Sequence, residues 1–141
     1  MFQKFVILVS LSFSMFVSNK SEFSQKDENP LPKCPGTPNC VRTSASFSED
    51  SATVMNAFDQ ALRNLNATNV QWDADSSHIN AEFTIPVFGW IDDVTISVQP
   101  KTPTESIAYI RSASRVGTWD IWVNPIRVNK LIKRVNKLLS S

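Results

Sequence analysis

The residues whose types and spacing could do chemistry lie in the second half of the chain: Asp92-Asp93, Arg111-Ser112-Ala-Ser114-Arg115, Asp120, Asn124 and Arg127. Guanidinium groups gathered with hydroxyls and an amide are suited to holding a phosphate or carboxylate through charge-assisted hydrogen bonds. A serine near a carboxylate is instead the beginning of a hydrolase or transferase, with Asp92 or Asp93 serving Ser114, but such a nucleophile needs a base. The only histidine, His78, falls in a predicted turn far from both serines in sequence. Asp92 and Asp93 are neighbours on a predicted strand, so their side chains point to opposite faces and do not act together on one substrate. With three glycines in the chain there is no glycine-rich phosphate loop. The leading reading is therefore a non-catalytic module that binds a small anionic ligand or an envelope protein, with no cofactor and no metal called for.

Positioning these residues requires a sheet and a closing helix. Val54, Ala57, Phe58, Ala61, Leu62 and Leu65 recur at helical spacing after the start signal Ser48-Glu49-Asp50-Ser51, predicting a helix of about 15 residues. Alternating apolar residues then mark four strands: Val70, Trp72 and Ala74; Ile79 through Val87; Val94, Ile96 and Val98; and Ile107, Tyr109 and Ile110. Asn124 with Pro125 reads as an N-cap followed by a first-turn proline, opening a helix whose apolar stripe is Val128, Leu131, Ile132, Val135, Leu138 and Leu139. The expected fold is α+β, an antiparallel four-stranded meander with two helices packed on one face. Pairing Val94 with Tyr109 and Ile96 with Ile107 would set Asp92 opposite Arg111, with Arg115, Asp120, Asn124 and Arg127 gathered at the same end of the sheet. There they would form either an ion-pair network that fixes the last loop or an anion pocket. Trp90, Trp119 and Trp122 are expected to plug the ends of the core; the alternative is an exposed aromatic surface.

The remaining features concern location. Lys4 followed by the apolar run Phe5–Val17 predicts a signal peptide or short N-terminal membrane anchor over residues 1–18, shorter than the ~20 residues that span a bilayer. Residues 19–33 read as a polar linker and 34–141 as a single domain. Cys34 and Cys40 enclose a loop bent by two prolines and a glycine, which in an exported chain predicts a disulfide. The expected location is periplasmic or cell-envelope. Net charge is +1, which excludes an obvious nucleic-acid footprint. The last helix nevertheless holds five basic residues and no acid from Asn124 onward (Arg127, Lys130, Lys133, Arg134, Lys137), leaving −4 on the rest. That helix, with the N-terminal segment, could rest on an anionic membrane surface as a peripheral scaffold.

Taken in order, Cys34-Pro-x-x-Pro-Asn-Cys-Val41, Asp92-Asp93-Val94, Arg111-Ser-Ala-Ser-Arg115-x-Gly117-x-x-Asp120 and Asn124-x-x-Arg127 resemble the domain of unknown function 1499 family, over about Leu31 to Leu139. The resemblance implies that these residues form a feature shared by the family, and implies no activity, substrate or cofactor. This chain departs from the family's pattern in Gly36-Thr37 between the loop prolines and in Trp122, where relatives tend to have glycine.

Overall fold

A computed structural model describes residues 28–117 and 122–141 of the 141-residue chain. The expected signal segment, Trp119 and Asp120 lie outside the described residues. The elements are β1 (Cys40–Phe47), α1 (Ser51–Asn64), β2 (Thr68–Trp72), β3 (His78–Thr84), β4 (Ile91–Thr102), β5 (Glu105–Ser114) and α2 (Val123–Leu139).

The sheet has five antiparallel strands in the order β1-β5-β4-β3-β2. The expected four are β2 to β5, a meander as read. The fifth strand, β1, follows the cysteine loop and closes the β5 edge. Its alternation is weak because the residues in register with the buried positions of β5 are small or half-polar: Val41, Thr43 and Ala45, with only Phe47 bulky.

One hydrophobic core is shared by both helices and the sheet. Ile79, Ala81 and Phe83 of β3, Val94, Ile96 and Val98 of β4, and Ala108 and Ile110 of β5 meet Val54, Phe58, Ala61 and Leu62 of α1 and Val128, Leu131 and Val135 of α2. Phe47 and Phe58 pack edge to face at 5.8 Å. Burial of this kind contributes about 25 cal/mol per Å² and is what holds the layers together.

Asp50 caps α1, its carboxylate accepting the Thr53 amide at 2.9 Å. The second cap differs from expectation. Trp122 occupies the N-cap position of α2 at φ 63° without a side-chain cap bond, and Asn124 lies inside the first turn, fully buried.

The β4–β5 register also differs. Val94 pairs with Ser112, Ile96 with Ile110 and Asp92 with Ser114, three residues away from the expected pairing; Arg111 pairs with Thr95. The core face of β5 consists of Ser106, Ala108, Ile110 and Ser112, while Ile107 and Tyr109 point to the other side. Bulky residues on both faces of one strand hide which face is the core.

Candidate functional site

The corrected register divides the expected cluster between the two faces of the sheet. Asp92, Ser112 and Ser114 share the core face with Val94 and Ile96; Asp93, Arg111 and Arg115 fall on the outer face. The strand pair that was to bring Asp92 against Arg111 instead sets them on opposite surfaces.

On the core face lies a buried polar network. Arg127 of α2 reaches Asp92 at 2.7 Å, with the two side chains 9% and 1% exposed. Its Nη1 donates to Asn124 Oδ1 at 2.8 Å and to Ser112 Oγ at 3.3 Å, and its guanidinium stacks 4.7 Å above the Phe83 ring. Ser112 Oγ donates to Asn124 Oδ1 at 2.5 Å. The Asn124 amide group donates to Ser114 Oγ at 3.1 Å and to the Asn39 carbonyl at 3.3 Å. Neither Asp92 oxygen has a hydrogen bond of good geometry, so the carboxylate depends on the nearby cation for its stability in the interior. This is why Asn124 is not a cap: its amide joins β5, α2 and the cysteine loop.

Asn39 also belongs to this network, although in the sequence it stands out only as part of the Pro-Asn-Cys motif. Its carbonyl also accepts the Ser114 amide at 3.0 Å. Its side chain donates to the Gly117 carbonyl at 2.6 Å and accepts from Thr37 Oγ1 at 2.7 Å. The Cys34–Cys40 disulfide closes the loop that presents it, with 5.6 Å between the Cα atoms.

The outer face holds a second group. Arg115 grips Asp93 through two bonds, Nε to Oδ2 at 2.8 Å and Nη2 to Oδ1 at 2.7 Å, and also contacts Glu82. The hydrogen bonds to Asp93, then those to Glu82, push the guanidinium pKa upward. Glu82 is held below its ordinary range, chiefly by Arg115 and then by Asn69. Across this face runs a row of paired residues, Gln71, Asn80, Thr95, Arg111 and Arg42. Arg42 donates to the carbonyls of Leu31 (3.0 Å) and Asn29 (2.7 Å), tying the segment that precedes the cysteine loop to β1. Arg111 is half-buried, and among the described residues its Nε is buried without a hydrogen-bond partner and the side chain forms no ion pair. Beside it, Thr95 borders a polar depression of about 410 Å³, lined also by Asn69, Gln71, Asn80, Glu82 and Asp93.

Ser112 and Ser114 bond to Asn124, and Asp93 is engaged by Arg115 on the other face. At the far end of the sheet, Asp73, Asp75 and His78 bring potential metal-ligand atoms within 4.8 Å of one another. Asp73 accepts the His78 backbone amide at 2.9 Å and contacts its Nδ1 at 2.9 Å, while Asp75 takes the Ser77 amide and hydroxyl, so these groups close the β2–β3 turn.

Of the tryptophans expected to plug the ends of the core, the two that lie among the described residues, Trp90 and Trp122, are exposed instead. Trp90 is 50% and Trp122 74% exposed. Phe88 stacks on Trp90 at 4.7 Å in the turn between β3 and β4.

No curated protein matches the chain. Among solved structures, the adenylate sensor of AMP-activated protein kinase is similar at 12% identity and a TM-score of 0.54, over 64% of this chain and 93% of that one. A START superfamily protein from Mycobacterium smegmatis is similar at 10% identity and 0.39, over 71% and 93%. Norcoclaurine synthase from Thalictrum flavum is similar at 9% identity and 0.39, over 77% and 94%. The first likeness concerns the fold alone. A family model described as "Protein of unknown function (DUF1499)" matches residues 30–135, which contain Asn39, Asp92, Ser112, Asn124 and Arg127, and on that match the chain belongs to the DUF1499 family.

Proposed function

We propose that this domain is a non-catalytic binding module of an extracytoplasmic compartment, and that it takes a small anionic group at Arg111 on the outer face of the sheet. One observation carries the reading. Of the three arginines singled out by sequence, Arg127 and Arg115 are each neutralised by carboxylates, whereas Arg111 is a half-buried cation that has no ion pair among the described residues and a buried Nε without a hydrogen-bond partner there. A guanidinium kept partly out of water without a partner costs free energy, and an incoming phosphate or carboxylate with two acceptor oxygens would offset that cost. The polar depression beside Thr95 offers room for the rest of such a ligand. The Cys34–Cys40 bridge supports an oxidising compartment.

The test is titration of the full chain with inorganic phosphate and with acetate, followed by the Nε–Hε resonances of its arginines in NMR spectra. The Arg111 signal is expected to move with saturation while that of Arg127 stays. Arg111→Gln is expected to weaken binding roughly tenfold or more, the scale of a charge-assisted hydrogen bond. An Arg111 signal unmoved by both anions would reject the site.

A further inference from the structure

Seven large hydrophobic residues are exposed among those described, and six of them lie at one end of the sheet: Val87, Phe88, Trp90, Val116, Trp122 and Ile126. They come from the β3–β4 turn, the segment after β5 and the start of α2. Hydrogen bonds link these pieces: Ile85 N to Trp90 O at 2.7 Å within the turn, Arg115 N to Ile91 O at 3.0 Å between turn and β5 segment, and Asn39, which donates to Gly117 O at 2.6 Å and accepts from the Asn124 amide group of α2 at 3.3 Å. We propose that this end of the molecule docks on a lipid bilayer, with Val87, Phe88 and Trp90 entering the interfacial region. The inference is independent of the anion site at Arg111, which faces sideways from the sheet.

Three observations favour a membrane over other occupants. The first is shape and chemistry. Val87 is 98% exposed and Phe88 62% exposed at the tip of a two-strand turn, with Phe88 stacked on Trp90. Projecting aromatic rings with an indole N–H suit the boundary between lipid headgroups and acyl chains. The second is backbone strain without internal compensation. Val87 and Trp122 adopt φ of 75° and 63°, left-handed values that are unfavourable for a β-branched or bulky residue, and burial offsets neither of them.

The third is charge. The described loop residues at this end, 33–39, 85–91, 115–117 and 122–126, contain no acid, and Lys33 is exposed among them. Glu49, Asp50, Asp73, Asp75 and Glu105 sit at the opposite end of the sheet. These loops therefore meet an anionic phospholipid surface with no carboxylate at their tips, while Asp93 and Glu82 offset the charge of Arg115 behind them. The apolar run Phe5–Val17, about ten residues ahead of Glu28, supplies a tether short enough to keep the domain beside a bilayer in which that run is held.

The experiment uses the full chain on phosphatidylcholine–phosphatidylglycerol vesicles whose acyl chains carry bromine, a short-range quencher of tryptophan fluorescence. The N-terminal segment is the same in wild type and variants, and co-sedimentation measured alongside separates attachment of the chain from entry of the loop. Wild-type emission is expected to be quenched, and Trp90→Phe to remove at least half of the quenched signal. Phe88→Asp, at an exposed position, is expected to abolish quenching of Trp90 with an unchanged melting temperature. Absent quenching, or quenching that neither variant alters, overturns the proposal and leaves the aromatic tip to a protein partner.

Discussion

Asp92 and Asp93 are neighbours in the chain and belong to different environments. Asp92 is sealed in the core against Arg127, whereas Asp93 meets Arg115 at the surface. Removing one partner of a buried ion pair strands the other charge, so Arg127→Ala is expected to lower unfolding stability by roughly 3–5 kcal/mol in urea denaturation. Arg115→Ala is expected to leave the urea midpoint nearly unchanged, because exposed pairs are screened by water. In a double-mutant cycle the two substitutions should show no coupling, since they lie on opposite faces with no shared partner. A single cluster would have coupled them. The chemistry-bearing residue types were legible in the sequence, but their grouping was not. Asn124 followed by proline carries the local signature of a helix cap, and tertiary hydrogen bonds to Ser112, Ser114 and Asn39 claim its side chain instead.

At the scale of elements, β3 and β4 and both helices declare themselves through clean periodicity, while β1 and the register of β5 do not. On β5 the core face is built from serine and alanine around Ile110, and the apolar weight of Ile107 and Tyr109 is on the other side. The apolar pattern therefore favours a pairing that the packed core does not adopt. The β3–β4 turn offers a test of its own. Val87→Gly relieves the left-handed strain at a residue with no buried contacts, and is expected to raise stability by about 0.5–1 kcal/mol in thermal melts, net of the flexibility glycine adds to the unfolded chain.

For the whole molecule, pH acts through carboxylates whose folded values lie below their ordinary range: Glu82 through Arg115, Asp59 through Arg63, and Asp50 through Thr53. A depressed folded pKa means that the unfolded chain binds the proton more readily. The stabilisation is thus complete above the ordinary values near 4 and disappears as pH falls through the lowered ones. Urea midpoints are expected to be flat from pH 7 to about 5 and to drop steeply below 4. The drop should be only slightly shallower in Arg115→Ala, by the same small amount that this variant loses at pH 7, because the Glu82 component is then missing. A drop of the same steepness in that variant would show that Glu82 does not contribute.

The carbonyl of Asn39 accepts from the Ser114 amide and from the Asn124 side chain, one residue away from Cys40. Thiol chemistry at the surface is therefore wired to the seat of the last helix. Reduction frees a seven-residue ring worth about 2 kcal/mol in chain entropy, and slackens the grip on Asn124 and, through it, on Arg127. Amides at the start of α2 are accordingly expected to exchange with deuterium faster under dithiothreitol, while those of β3 keep their protection. The redox poise of the surrounding compartment then sets how firmly a buried carboxylate keeps its counter-charge.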